Sequence, residues 1–255
     1  MKEHWTSLTK TIQRTLVPHD VAHYREIERQ NYSDLAEDAK RGRAVLADND
    51  GNDGTLVNVL LSGLMRHPLC RNIAAPQIYL HRDPASQLTT FGNVIIVPSR
   101  EMTGLRDDSH RMETVKAAIA HELGHIVSRD ADPTVQSRRA NNYRNQRMER
   151  RADLIAAYLC GDGGRALADW LSTKAKQEKP FEDFVAQRSS WLDRVTNRMA
   201  KALDRRYPPV EVRIRYLRDW ADRHSRGESL PDLELELSST VTRGALTTKA
   251  SSPFR

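Results

Sequence analysis

The sequence predicts a predominantly helical α+β fold, and three observations support that class. Two runs rich in β-branched residues, Gln77–Arg82 and Asn93–Pro98, are typical of strands in a small sheet. Helical patterns follow them, first from Ser109 to Val127 and then from about Asn145 to Cys160. The composition, with 38% hydrophobic and 6% aromatic residues, indicates a modest core surrounded by charged helices.

The remaining segments divide the chain into three parts. Residues 1–68 are predicted to form an N-terminal helical segment, residues 69–224 the main domain and residues 225–255 a disordered tail. Further helices are predicted over residues 5–47 with a break at Pro18, and over residues 56–65, 165–176, 181–205 and 208–220. The tail begins where hydrophobic periodicity is lost and Ser, Thr and Arg become frequent.

The charge and cysteine content argue against a dedicated nucleic-acid-binding protein and against a disulfide-rich one. The chain carries 40 Lys and Arg against 34 Asp and Glu, a formal net charge of +6. This excess is mild and spread along the sequence, so a dedicated nucleic-acid-binding role is not expected. Cys70 and Cys160 form no CxxC pair, and two thiols do not make a disulfide framework. Buried free thiols in a reducing cytosol are the simpler interpretation.

No segment has the pattern of a targeting or membrane-spanning sequence. The N-terminal residues MKEHWTSLTKTIQRTL are charged and polar where a signal peptide has an apolar run. The longest apolar stretches, Leu56–Met65 and Val94–Val97, are far shorter than the roughly 20 residues that span a bilayer. We therefore expect a cytoplasmic protein, unless a specialised route exports it. The sequence gives no indication of an oligomeric state.

The most informative segment is HELGH over residues 121–125, inside the predicted helix that begins at Ser109. Residues four apart lie on one helix face, so His121 and His125 can present two imidazoles to one cation. Glu122 would then act as a general base on water activated by the metal. This arrangement is the H-E-x-x-H pattern of zinc metallopeptidases.

An ordinary helix with two surface histidines and a salt-bridging glutamate would give the same letters. The neighbours of the motif argue against that alternative, because Ala117–Ala120, Leu123, Ile126 and Val127 are all apolar. Two imidazoles and a carboxylate in such surroundings are costly to bury without partners or a metal ion. The context therefore favours a metal site.

A catalytic zinc ion needs three protein ligands and an open position, so a second element must supply the third ligand. The predicted helix MERRADLIAAYL offers Glu149 as that ligand and Asp153, four residues on, as acceptor for a ligand-histidine N–H. Glu149 could instead pair with a nearby arginine on an exposed face. The apolar residues of this helix indicate that much of it is buried, so we predict one zinc ion per chain on His121, His125 and Glu149.

HELGH followed by E-x-x-A-D (Glu149, Ala152, Asp153) resembles the HtpX-like and CAAX prenyl endopeptidase family of gluzincin peptidases. The resemblance covers roughly residues 75–219, and YPPVEVRIRYLR is similar to the family's His-Pro-Pro segment. It implies a zincin-like metallopeptidase core with flanking helices, and a zinc endopeptidase that hydrolyses peptide bonds. The resemblance implies that His121, His125 and Glu149 bind zinc. It also implies that Glu122 is the general base and that Asp153 supports the site.

The sequence departs from that family at two points. Members commonly have membrane spans or a signal peptide, and neither is found here, so membrane-protein quality control is not inferred. Tyr207 stands where many members have the histidine before Pro-Pro. Its hydroxyl can stabilise an oxyanion, or the side chain only packs.

Two hypotheses concern access to the site. The predicted strand with Asn93, Val94, Ile95 and Ile96 lies just before the motif helix, and as an edge strand it would pair with an extended substrate backbone. Residues up to about Met65 lie outside the resemblance and could cover the cleft as an inhibitory segment. The substrate is predicted only as a protein or peptide.

Two other functions fit parts of the sequence. A regulatory gluzincin resembling the ImmA/IrrE group uses HELGH and a downstream glutamate-containing helix to control a DNA-bound repressor. The E-x-x-A-D pattern and the YPPVEVRI segment favour the endopeptidase over it. A non-catalytic module with a structural metal would use the basic region Arg138–Arg151 to contact nucleic acid, and its binding would weaken steeply with salt.

Overall fold

The computed structural model of the chain describes residues 21–130, 142–188 and 208–233. These residues are mostly helical and include one four-stranded sheet, which confirms the predicted α+β class. In chain order the elements are α1 (Val21–Lys40), β1 (Ala44–Leu46), α2 (Gly51–Met65), β2 (Gln77–His81), β3 (Thr89–Phe91), β4 (Val94–Pro98), α3 (Ser99–Met102), α4 (Ser109–Val127), α5 (Asn142–Cys160), α6 (Arg165–Arg188) and α7 (Val210–Ser225).

The sheet has the strand order β1-β2-β4-β3. β2 and β4 pair in parallel, while β1 pairs with β2 and β3 pairs with β4 in antiparallel fashion. β4 is therefore an interior strand, and the prediction that Asn93, Val94, Ile95 and Ile96 form an edge strand is wrong. The edge on that side is β3, a three-residue strand too short for its hydrophobic pattern to be recognised in the sequence.

The sheet separates two hydrophobic clusters of different size. Alternate strand residues such as Ile78 and Ile95 face the main core, to which α2, α4 and α5 also contribute. On the opposite face, α1 places Leu35 in a small cluster with Ala44 and Val94. β1 and α2 thus share a sheet and a core with residues beyond the predicted boundary at residue 68. An inhibitory role for the segment up to Met65 stays a prediction.

Local signals define both ends of α4, whose bounds match the sequence prediction. The Asp108 side chain accepts a hydrogen bond from the Arg111 backbone N–H at 2.9 Å and caps the N-terminus. At the other end Arg129 adopts the left-handed conformation with φ 54°. The backbone N–H of Asp130 then donates to the His125 carbonyl at 2.9 Å, which closes the last turn.

Small residues allow α4 and α5 to pack closely. A Cβ atom added at Gly124 would lie 2.9 Å from both the Cα and the carbonyl oxygen of Ala152, too near for any larger side chain. The close approach brings the motif face of α4 against the N-terminal half of α5. The close approach of Gly124 to Ala152 therefore positions the candidate site.

The turn after α5 positions α7 against α6. Gly164 has φ 95°, and a Cβ atom there would lie 2.7 Å from the Leu217 side chain of α7. Beyond α7 the chain still packs, because Tyr158 donates a hydrogen bond to the Pro231 carbonyl at 3.0 Å and Leu233 is buried. Part of the tail predicted for residues 225–255 therefore packs against the helices, and the tail beyond residue 233 lies outside the described residues.

Three further findings concern membrane spans, the cysteines and the helix after α5. In the part of the chain that the structure describes, no helix combines the length and apolar character needed to cross a bilayer. Cys70 is buried, Cys160 is partly buried, and neither is in a disulfide. α6 is one continuous helix over Arg165–Arg188, where the sequence predicted a helix over 165–176 and a second over 181–205; residues 189–205 of the second lie outside the described residues.

Candidate metal centre

The pairing of α4 with α5 brings together the three residues predicted as ligands. His121 and Glu149 are buried and His125 is partly buried. Their ligand atoms all lie within 4.8 Å of one another. The Nε2 atoms of the two histidines are 3.3 Å apart, and they lie 3.4 and 3.5 Å from the two carboxylate oxygens of Glu149. The three side chains thus converge on one point.

The separations between these atoms fit a metal ion of zinc's size. Zinc bonds of about 2.0–2.1 Å at tetrahedral angles place the ligand atoms about 3.4 Å apart. The observed separations of 3.3, 3.4 and 3.5 Å agree with that value. Two imidazoles and one carboxylate are also a donor set found in catalytic zinc sites. His121, His125 and Glu149 can therefore hold a metal ion.

A group that we name the His121 arm supports the first histidine, and it consists of His121, Asp153, Arg213 and Tyr216. Asp153 Oδ1 lies 2.8 Å from His121 Nδ1, the nitrogen that does not face Glu149. Arg213 donates to both Asp153 oxygens, from Nη2 at 2.6 Å and from Nε at 3.0 Å, and Tyr216 also donates to Asp153. Arg213 Nη1 reaches Glu149 Oε2 at 3.0 Å. Asp153 thus contacts His121 on the side away from Glu149, and α7 completes the arm.

A second group, the His125 arm, consists of His125, Asp130 and Arg151. His125 Nδ1 lies 3.2 Å from Asp130 Oδ2. Arg151 Nη2 donates to the other Asp130 oxygen at 2.7 Å. Asp130 is 1% exposed and Arg151 is 3% exposed, so the pair is removed from solvent. Each histidine of the centre therefore faces a buried carboxylate that is itself bound by an arginine, which is buried at Arg151 and partly buried at Arg213.

The charges around the ligands shift their pKa values. Burial and the Arg213 cation lower the pKa of His121, but Asp153 and Glu149 outweigh them and raise it to about 9. Burial raises the pKa of Glu149, whereas the two histidines and Arg213 outweigh it and lower the pKa to about 2. Glu149 is therefore ionised at neutral pH, which is the form that coordinates a cation.

The outer carboxylate and phenol show the same coupling. Burial opposes ionisation of Asp153, but Arg213 and His121 hold the pKa of this carboxyl well below its usual range. Burial and the adjacent Asp153 charge raise the pKa of Tyr216 above its usual range. The Tyr216 hydroxyl therefore keeps its proton and donates it in the hydrogen bond to Asp153.

Glu122 occupies the buried section of α4 and is 8% exposed. Within the described ranges no ion pair or hydrogen bond engages its carboxylate, whereas Glu149 and Asp153 are each paired with Arg213. Glu122 thus differs from the other two acidic residues in having no described partner. Tyr207 lies outside the described residues, so its role stays a prediction.

Sequence reasoning missed four residues of the centre: Asp130, Arg151, Arg213 and Tyr216. The last two are three positions apart on α7, the spacing that puts side chains on one helix face, and this signal was available. Asp130 gave no such signal, because its contact with His125 depends on the left-handed turn at Arg129. A non-glycine residue in that conformation is uncommon and is not indicated by the sequence.

Among the described residues, no other histidine joins the cluster of His121, His125 and Glu149. His81 is buried and satisfied, with Nε2 3.0 Å from Asp38 Oδ2 and Nδ1 3.3 Å from the Asp83 backbone N–H. His110 is exposed near the start of α4.

Part of the basic region proposed to contact nucleic acid is engaged within the protein. Arg151 is buried against Asp130, as described above. The Arg150 guanidinium lies 5.4 Å from the ring centroids of both Tyr216 and Trp220, a cation–π arrangement. Both side chains therefore contribute to packing between α5 and its neighbours.

Comparison with known proteins gives one family match. Residues 105–189, a third of the chain, match the Peptidase_M78 family model, described as the IrrE N-terminal-like domain. The match supports a gluzincin-type metallopeptidase and does not extend to the HtpX-like and CAAX prenyl endopeptidase family. The matched range contains the three ligands, Glu122 and the whole His125 arm, whereas α7 lies outside it. No curated protein and no solved structure matches the chain.

Proposed function

We propose that the chain is a zinc-dependent peptidase that hydrolyses peptide bonds in protein substrates. The observation that carries the proposal is the convergence of His121, His125 and Glu149 at separations of 3.3 to 3.5 Å, which suits tetrahedral zinc. The match to a peptidase-type family model supports the same conclusion.

The two histidines and Glu149 would hold one zinc ion and leave a fourth position open. When bound, zinc supplies a Lewis acid that lowers the pKa of water to about 7 and polarises a peptide carbonyl. Asp153 accepts a hydrogen bond from His121 Nδ1 and leaves Nε2 facing the metal. Arg213 keeps both Asp153 and Glu149 ionised and oriented through its contacts to each.

Glu122 would act as the general base. Its carboxylate takes a proton from the attacking water as the oxygen bonds to the carbonyl carbon of the scissile peptide. It then delivers that proton to the amide nitrogen as the carbon–nitrogen bond breaks, so the products are a carboxylic acid and an amine, and transfer of the acid's proton to the amine gives a carboxylate and an ammonium group. The buried and uncommitted state of Glu122 in the described ranges supports this assignment.

The substrate backbone would pair with β3 rather than with β4. β3 forms the edge of the sheet, and it contacts α4, the helix that carries HELGH. An extended peptide can add to such an edge through main-chain hydrogen bonds, which give affinity with little sequence preference. Tyr207 remains the candidate for stabilising the oxyanion that forms on the carbonyl.

The test compares zinc-loaded wild type with Glu122→Gln, using reduced and unfolded casein as substrate and mass spectrometry to identify fragments. Glu122→Gln should bind zinc as wild type does and cleave roughly 100- to 10,000-fold more slowly, because the general base is lost. Glu113→Gln, an exposed position on the same helix, is the matched control and should retain full activity. Equal cleavage by wild type and Glu122→Gln would mean that this site is not the source of activity.

A second candidate function is regulatory cleavage of a single repressor. The match to the IrrE N-terminal-like domain favours it, because the ImmA/IrrE group controls DNA-bound repressors. In that case casein should stay intact, while a DNA-binding repressor tested as substrate should be cut at one position. Cleavage of casein at many positions would instead favour the general endopeptidase.

A further inference from the structure

We propose that Asp130 and Arg151 are positioning residues that orient His125 for metal binding. The inference rests on the proposed zinc site and concerns a part of it that neither the motif nor the E-x-x-A-D pattern assigns. Asp153 was predicted to support one histidine, whereas the structure gives the other histidine its own carboxylate and arginine.

The orientation of the His125 ring is the first argument. Its Nε2 atom faces His121 Nε2 at 3.3 Å and Glu149 Oε1 at 3.5 Å, and its Nδ1 atom lies 3.2 Å from Asp130 Oδ2. A carboxylate that accepts a hydrogen bond from Nδ1 fixes the proton there and leaves the Nε2 lone pair for a metal. Asp130 thus selects the ring form that can act as a ligand.

The backbone shows that the contact is built into the end of α4. Arg129 has φ 54°, a left-handed conformation that is uncommon for a residue with a side chain. This turn reverses the chain, so the Asp130 N–H caps the carbonyl of His125 at 2.9 Å. The same residue therefore bonds to the backbone and to the ring of His125, which sets the ring relative to its own helix.

Arg151 fixes the other side of the Asp130 carboxylate. Both residues are buried, and Arg151 Nη2 donates to Oδ1 at 2.7 Å. A carboxylate removed from water needs a cation or hydrogen-bond donors to stay charged. Because Arg151 holds Oδ1, Oδ2 is presented to His125. Arg151 is on α5, two residues after Glu149, so one helix supplies both a ligand and the support for a second ligand.

A third group with the same residue types provides a matched control within the protein. His81, Asp38 and Arg43 form a histidine–carboxylate–arginine group between α1 and β2. There the carboxylate faces Nε2 at 3.0 Å, and Nδ1 accepts the Asp83 N–H, so both ring nitrogens are occupied. Removing this carboxylate perturbs the fold locally but should not change metal affinity.

The experiment measures zinc affinity by competition with a chelator of known affinity in full-length wild type, Asp130→Asn, the double variant Asp130→Ala/Arg151→Met, and the control Asp38→Asn. Arg151 and His125 each face a different oxygen of Asp130. In the Asp130→Asn variant one of these two positions carries an NH₂ group, which donates, so the side chain cannot accept at both. The double variant removes both members of the Asp130–Arg151 ion pair together, so neither charge is left without the other.

We expect Asp130→Asn and the double variant to bind zinc roughly 10- to 100-fold more weakly, the range seen when outer supports of ligand histidines are lost. Asp38→Asn should bind zinc as wild type does. The cobalt(II)-substituted proteins give a second readout, since visible absorption reports coordination geometry. The spectrum should change in the two variants at position 130 and stay unchanged in the control.

The outcomes separate this inference from the proposed function. If wild type binds zinc and both variants at position 130 bind it equally well with an unchanged cobalt spectrum, the pair only stabilises the fold and the inference is overturned. If wild type binds no zinc, the proposed function fails, and the inference fails with it.

Discussion

The two histidines of the metal centre are supported in different ways. In the His121 arm, Asp153 lies 2.8 Å from Nδ1 and receives two hydrogen bonds from Arg213 and one from Tyr216. In the His125 arm, Asp130 lies 3.2 Å from Nδ1 and is bound by Arg151 at 2.7 Å. The first arm joins three helices, α4, α5 and α7. The second, as far as the described residues show, joins α4, its C-terminal turn and α5.

The difference shows which histidine depends on the packing of α7. The His125 arm lies wholly within the range that matches the family model, residues 105–189. The His121 arm needs α7, whose Arg213 comes 60 residues after Asp153 and also contacts Glu149. We therefore expect changes in α7 to loosen His121 and Glu149 while leaving His125 oriented.

The largest effect on stability should come from Asp153→Ala. Asp153 is fully buried, and its removal leaves the partly buried Arg213 without its bidentate partner and with Glu149 as its remaining described carboxylate. Breaking a buried ion pair in this way costs about 3–5 kcal/mol of unfolding free energy. Urea denaturation of the metal-free proteins measures it. The double variant Asp153→Ala/Arg213→Met removes both charges and should recover part of the loss. A double variant no more stable than the single one would contradict this account of the His121 arm.

A smaller effect that reaches both arms is expected from Gly124→Ala. The added methyl group would lie 2.9 Å from the Ala152 backbone, so α4 and α5 must move apart. Overpacking of this kind costs roughly 1–3 kcal/mol, and zinc affinity should fall because Glu149 moves away from both histidines. Gly63→Ala in α2 is the matched control, since no atom lies within 4 Å of a Cβ there. If both substitutions were neutral, the close approach of the two helices would not position the site.

The smallest effect should come from Asp38→Asn in the third histidine–carboxylate–arginine group. The hydrogen bond from His81 and those from Arg43 lower the pKa of Asp38 in the folded protein. Its stabilisation is therefore complete above the unfolded pKa of about 3.9 and is lost as pH falls through the folded value. Because the pair is partly exposed, the contribution should not exceed about 1 kcal/mol.

Denaturation at several pH values checks this expectation. The stability difference between wild type and Asp38→Asn should be constant from pH 6 to pH 7 and shrink below about pH 4. A difference that grew as the pH fell would show that the sign of the Asp38 contribution is opposite to the one described here.

Strong local signals made α4 and the convergence of the ligands predictable. Asp108 caps the helix start, HELGH carries two same-face histidines, and Glu149 comes just before the apolar run within α5. These features depend on spacing within one helix or on burial of a helix face, which a sequence pattern reports directly. The fold class was predictable for the same reason.

Features that depend on short strands or on side-chain pairs between distant elements were not predictable. The three residues of β3 and the three of β1 carry too little pattern to be recognised, so β4 was misplaced at the edge of the sheet. Arg213 and Asp130 were missed because their partners are fixed by helix docking and by one left-handed residue. Neither the docking of α7 nor the left-handed conformation of Arg129 can be predicted from residue spacing.

The measurement that tests the central claim most directly is the zinc content of the chain purified without chelator, beside Glu149→Ala and the control Glu113→Ala. The three-ligand centre predicts about one zinc per chain in wild type and in the control, and a loss of zinc in Glu149→Ala because one ligand is removed. Wild type that takes up no zinc even after reconstitution, or Glu149→Ala that keeps its zinc, would contradict the proposed centre.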